Sequence, residues 1–166
     1  MSLVIADTGP VHYLVLIEQI SLLPALFERV YIPAIMREEM LDPNTPGPVR
    51  NWIAASPAWL QVLSDPAPQP EDMLLAGLDR GERAAVQLAI TLEANLVLID
   101  DRAGVIAAKR KGLRVTGTLG VLDLAAERRL VDIEEALHRL TTTNFRYPQA
   151  LMDLLLQSHR KKGPNA

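Results

Sequence analysis

The chain has 166 residues, 49% hydrophobic, 22% charged and 4% aromatic, with a formal net charge of −3 and no cysteine. That length buries one substantial core, so a single domain over 1–166 is expected, and the missing cysteines exclude disulfides, thiolate metal sites and cysteine nucleophiles. No apolar run reaches the roughly 18 to 20 residues of a membrane-spanning helix and no signal-peptide pattern opens the chain, so a soluble, cytoplasmic protein that does not touch membrane is expected.

In chain order, "LVIA" predicts a strand over 3–6, followed by a helical pattern over 11–27 that breaks near 21–24. A strand over 30–32 and a helix over 34–41 come next, then the proline-marked loop 42–48 and a helix over 49–55. Residues 60–64 form a weaker strand, at a sheet edge or as an extended link, before a second proline-marked loop over 65–70. Helices are predicted over 71–78, 82–94 and 102–111, with strands over 97–99 and 114–116 between and after the last two. Three more helices follow over 119–129, 133–142 and 149–159, and the tail from 159 onward reads as frayed. Strands alternating with helices imply a mainly parallel central sheet in a three-layer α/β/α sandwich, with extra C-terminal helices.

Ligands of open parallel sheets bind at the carboxyl ends of the strands, so the acids that follow strands are the ones to inspect. Asp7 follows the first strand and opens "DTGP"; it or Thr8 also suits a helix N-cap. Asp100 and Asp101 follow the strand over 97–99. One of them is enough to cap the next helix, and the other is explained by a cation beside the pair, since adjacent like charges repel. In "YIPAIMREEM", about 100° per residue puts Glu39 within the apolar arc of Ile35, Met36 and Met40 and turns Glu38 away; a side chain snorkelling past the core is the plain alternative. Glu82 shares a stripe with Val86 and Ala89, while its spacing from Asp79 fits a capping box, so it reads equally as site and as cap.

Asp7, Glu39, Glu82 and the Asp100/Asp101 pair come from separate segments and converge on one end of the expected sheet. An oxygen-only set without histidine or cysteine suits Mg²⁺ or Mn²⁺, whose common task in such sites is to activate water for in-line attack on phosphorus.

"VIADTGP", "IPAIMREEM", "GERAAVQLA" and "LVLIDDR…GLRVTGTLGVL", spread over about 3–129, resemble the PIN-domain family of metal-dependent ribonucleases, in particular the branch related to VapC-type toxins of toxin–antitoxin pairs. The resemblance implies a PIN-like fold and an endoribonuclease with Asp7, Glu39, Glu82 and Asp101 as catalytic acids, Asp100 joining them as a metal ligand. Glu82 stands where toxin members often carry aspartate. A further family acid or Ser/Thr in the last strand-to-helix turn corresponds to Thr116 or Thr118. An antitoxin partner and a homodimer are likewise implied by the resemblance, and the helical extension over 130–160, outside it, is assigned to packing or an oligomer contact.

Negative overall charge gives no global attraction to nucleic acid, and so few aromatics argue against base-stacking platforms. Local contacts to RNA are therefore sought at Thr8, Arg80, Arg83, Arg102 and Thr118, with the basic run 107–114 explained as well by helix-dipole pairing and a Gly112 C-cap. "GTLG" at 117–120 reads as a phosphate-binding nest or as a tight turn with Thr118 as N-cap. A catalytically weak PIN-like module that binds RNA or protein is the alternative function. A phosphatase using Asp7 as nucleophile would want a second aspartate at position 9, which is glycine.

Overall fold

The computed structural model describes residues 2–67 and 72–162. Five strands, β1 (Val4–Ala6), β2 (Val30–Pro33), β3 (Leu60–Leu63), β4 (Leu96–Leu98) and β5 (Val115–Thr116), form one sheet in the order β3-β2-β1-β4-β5. Every pairing is parallel, with Ile5 opposite Tyr31 on one side and Val97 on the other. Such a sheet has both faces covered, which is why β1 is apolar at all three positions and wholly buried. The weaker strand of the sequence is β3, and it does take the edge, with its two middle residues exposed.

Helices α1 (Thr8–Leu16), α2 (Leu22–Phe27), α3 (Ala34–Met40), α4 (Gly47–Ala54), α5 (Arg80–Thr91), α6 (Arg102–Arg110), α7 (Thr118–Glu127), α8 (Ile133–Thr141) and α9 (Gln149–Lys162) cover the sheet. Helix α5 packs across β1, β2 and β4 with α6 beside it; α1 and α2 pack on α7, which carries α8 and α9. The result is the α/β/α sandwich expected from the alternation of strands and helices. No helix of the described residues is long and apolar enough to cross a membrane.

Three expectations change. The break in the first helical pattern falls earlier than proline suggested, at Ile17 and Glu18, where Glu18 adopts φ 59°; Pro24 then sits in the first turn of α2, where its missing N–H costs nothing. The helix expected over 71–78 is absent from its described part, 72–78, which is a series of turns. Asp72 accepts from Leu74 N at 2.9 Å, and only Leu75 and Leu78 are buried, so local side-chain bonding displaces the helix. The loop 65–70 is described only to residue 67 and has no helix or strand up to there. At the other end, α9 continues to Lys162, so the tail is helical past the expected point of fraying.

The C-terminal helices are no appendage. Ile133, Ala136, Leu137, Leu140 and Met152 join the same core as the sheet. Between α8 and α9 the chain folds back on α1: Tyr13 OH donates to Asn144 Oδ1 at 2.9 Å, and Phe145 meets the Tyr13 ring edge-on at 4.9 Å, a geometry worth about 0.5–1.5 kcal/mol beyond burial.

Candidate active site

Asp7 ends β1 and occupies the N-cap position of α1 without a side-chain capping bond; its backbone N–H is tied to Leu98 O on β4 at 2.8 Å. Its carboxyl is buried, 6% exposed, and burial pushes its pKa up to about 7. The charges of Glu82, Asp79 and Glu39 add to that rise, against one favourable backbone hydrogen bond from Thr8. Next to it, Thr8 Oγ1 is buried without any partner among the described residues.

The adjacent aspartates do different things. Asp101 is exposed and caps α6, accepting from Ala103 N at 2.9 Å and Gly104 N at 3.4 Å. Asp100 turns the other way. Its Oδ1 accepts from Thr118 N and its Oδ2 from Thr118 Oγ1, both at 2.6 Å, so a residue from the end of β4 caps α7. The approach is close enough to demand glycine on both sides: a Cβ at Gly117 would stand 2.6 Å from Asp100 Oδ1, and one at Gly9 would stand 3.0 Å from Oδ2. Burial raises the Asp100 pKa while the two Thr118 bonds oppose the rise.

Glu39 is not tucked into the apolar arc that the helical wheel suggested; it and Glu38 are both exposed residues. What distinguishes Glu39 is that its carboxylate lies over the start of α5, where a Cβ on Gly81 would come within 2.6 Å of Oε2. Burial of the carboxylate, then the charge of Asp79, raises its pKa, with Arg80 opposing. Glu82 does form the expected capping box. It donates its backbone N–H to Asp79 Oδ1 at 2.8 Å and accepts from Asp79 N through Oε2 at 3.3 Å. Capping does not remove it from the acidic cluster, because burial together with Asp79 and Asp101 pushes its pKa up to about 7. Asp79, which the sequence offered only as a cap, is thus a fourth charge acting on Asp7, Glu39 and Glu82.

Of the residues expected to meet RNA, Arg80 and Arg102 are exposed at the rim. Arg83 is committed elsewhere: it donates to Leu78 O at 3.2 Å and Ala76 O at 3.5 Å, holding the turns before α5. Thr118 is fully buried with its hydroxyl given to Asp100, so it positions an acid and does not face a ligand. Nor is it the N-cap of α7, a place taken by Gly117. The possible phosphate nest at 117–120 already holds the Asp100 carboxylate. Thr116 lies under Gly120, whose added Cβ would stand 2.7 Å from its methyl. In the basic run, Lys109 and Arg110 fill the last turn of α6, Lys111 pairs with Asp72, and Gly112 turns the chain at φ 80°.

No Lys or Arg forms an ion pair with Asp7, Glu39, Asp79, Glu82, Asp100 or Asp101 within the described residues. Among those same residues, no three acids or histidines converge as a ready-made metal cage. The donor chemistry nonetheless fits a hard divalent cation: oxygen ligands only, a buried carboxyl whose charge is uncompensated, and an orphaned hydroxyl at Thr8 beside it.

The family model of the PIN domain DUF3368 matches residues 3–161. The chain belongs to the PIN-domain family. The match reaches far past 129, so α8 and α9 are part of this PIN domain, in keeping with their place in the core. No curated protein and no solved structure matches the chain.

Proposed function

We propose that this PIN domain is a Mg²⁺- or Mn²⁺-dependent endoribonuclease that hydrolyses RNA phosphodiester bonds. The supporting observation is the set of uncompensated carboxylates around Asp7 at the C-terminal end of the parallel sheet, with Asp7 pushed up to about 7 by burial and by its neighbours' charge. Asp7, Glu39 and Glu82 would hold the metal, joined by Asp100, whose carboxylate is the buried member of its pair; Asp101 serves its helix and acts on Glu82 through space. When bound, such a cation lowers the pKa of a water nucleophile and neutralises charge developing on the phosphate. Glu39 or Glu82 would also take up the proton that the attacking water loses. Arg80 and Arg102 steer the backbone phosphates from the rim.

A second reading, a module that binds RNA or protein with little catalysis, is favoured by one observation: the acids do not converge as a preformed cage among the described residues. Within the nuclease reading, similarity to VapC-type toxins suggests a cytoplasmic homodimer and an antitoxin that covers the acids with an arginine.

Gel cleavage of a fluorescent single-stranded RNA in MnCl₂, MgCl₂ or EDTA, beside Asp7→Asn and Asp100→Asn variants, tests the proposal. Cleavage that needs metal and disappears in both variants supports it. Absence of cleavage together with no calorimetric Mn²⁺ binding would sink it.

A further inference from the structure

Beside the acids lies an open cavity of about 590 Å³ that none of the nuclease chemistry uses, although Glu39 forms part of its wall. Its size falls in the range of small-ligand pockets, roughly 300–1,000 Å³. Three segments build it: α1 supplies His12 and Leu16, the loop after α3 supplies Asp42, Asn44 and Pro46, and the segment between α8 and α9 supplies Asn144.

The charge of the lining decides what it can take. Among the described residues no lysine or arginine lines it, while Glu39 and Asp42 both do, so a phosphate is repelled. Burial lowers the pKa of His12, which leaves a neutral imidazole on the wall at neutral pH. Leu16 and Pro46 give apolar surface against which a flat group can lie. Hydrogen-bonding capacity is left over on two amides. Asn144 uses only Oδ1, for Tyr13 OH, which leaves its amide N–H groups to donate, and the Asn44 side chain makes no hydrogen bond among the described residues. Amide donors on Asn44 and Asn144 together with carboxylate acceptors on Glu39 and Asp42 describe a neutral, planar ligand that carries both kinds of group.

We infer that this cavity is a nucleobase subsite that reads the base next to the cleaved phosphate and selects one bearing an exocyclic amino group, so adenine, cytosine or guanine over uracil. The inference rests on the ribonuclease reading for its substrate, and it adds Asp42, Asn44 and Asn144 as specificity residues. Carboxylates accept from base amino groups, whereas uracil has no exocyclic amino group and offers a carboxylate only its ring N3–H, flanked by two carbonyl oxygens that a carboxylate repels. Discrimination of about tenfold or more is expected from one well-made pair.

Uncharged nucleosides separate this subsite from the nuclease chemistry, because they need neither metal nor phosphate contacts. NMR titration of the protein with adenosine, cytidine, guanosine and uridine should shift the side-chain amides of Asn44 and Asn144, with uridine at least tenfold weaker; Asp42→Asn should erase the difference, and Asn144→Ala should weaken all four. Asp42→Asn keeps the oxygen that accepts from Asn44 N at 2.8 Å, so the loop is retained. Metal-dependent cleavage of single-stranded RNAs differing at one base should show the same order and lose it in Asp42→Asn. Base-selective nucleoside binding with neither RNA cleavage nor calorimetric Mn²⁺ binding would keep the subsite and overturn the nuclease. Cleavage indifferent to the base, with uridine bound as well as the others, would overturn the subsite and keep the nuclease.

Discussion

Helices α6 and α7 both begin at an aspartate carboxylate, yet the two N-termini are built in different ways. Asp101 caps the helix it immediately precedes and remains in solvent. The cap of α7 comes from Asp100, 18 residues away in sequence, is half-buried, and requires Gly117 to make room. A local cap serves only its helix. A remote one welds the end of β4 to the start of α7 and, in doing so, fixes the direction of a half-buried carboxylate.

Four outcomes would break or sharpen that contrast. The largest concerns activity: Asp100→Asn should lower metal-dependent cleavage by at least about 100-fold, an effect of the size seen for losing a catalytic group, while Asp101→Asn should change it by less than about tenfold. Equal losses measured on one RNA would erase the distinction.

Next comes pH. Asp7 titrates near 7 folded and near 3.8 unfolded, so between those values the folded chain holds the extra proton, and stability falls as pH rises. Without metal, the Tm should drop from pH 5 to 7.5. Asp7→Asn should lessen that slope, leaving the part that Glu82 contributes over the same range, and stabilise the protein at pH 7.5 by roughly 2–4 kcal/mol. Calorimetric scans across that range showing a steady Tm for the parent chain would contradict the burial argument.

Smaller is the effect of Gly117→Ala, where the new methyl meets Asp100 Oδ1; about 1–3 kcal/mol of stability should go, with activity falling alongside. Smallest is Asp101→Ala, with about 1 kcal/mol lost from α6 and visible in a urea midpoint.

The same contrast explains what the sequence makes legible. Elements whose signal is local came through: the apolar strands, the α5 capping box at Asp79 and Glu82, and the C-terminal turn at Gly112. The resemblance put Asp101 among the catalytic acids and Asp100 beside it as a further ligand; that Asp100 turns away to Thr118 while Asp101 caps α6 is specified by the folded sheet and not by spacing. Glu39 was singled out for the wrong surroundings: the helical wheel sees only α3, while Gly81, the feature that makes room for its carboxylate, belongs to α5. Turns 72–78 carry enough apolar residues to imitate a helix, and the Asp72 side chain overrides that pattern. The Asn144 wall had no sequence signal at all, since its contact with Tyr13 spans 131 residues.

That long span sets an order of events during synthesis. Chains are made from the N-terminus and fold as they emerge, so Asp7 and Glu39 leave the ribosome early and Asp100 can join them only once β4 has paired with β1. The wall carrying Asn144 arrives last. A nascent chain halted near residue 130 would own most of its acids but not the Asn144 wall, so the proposed base subsite would be completed only after the acids are in place.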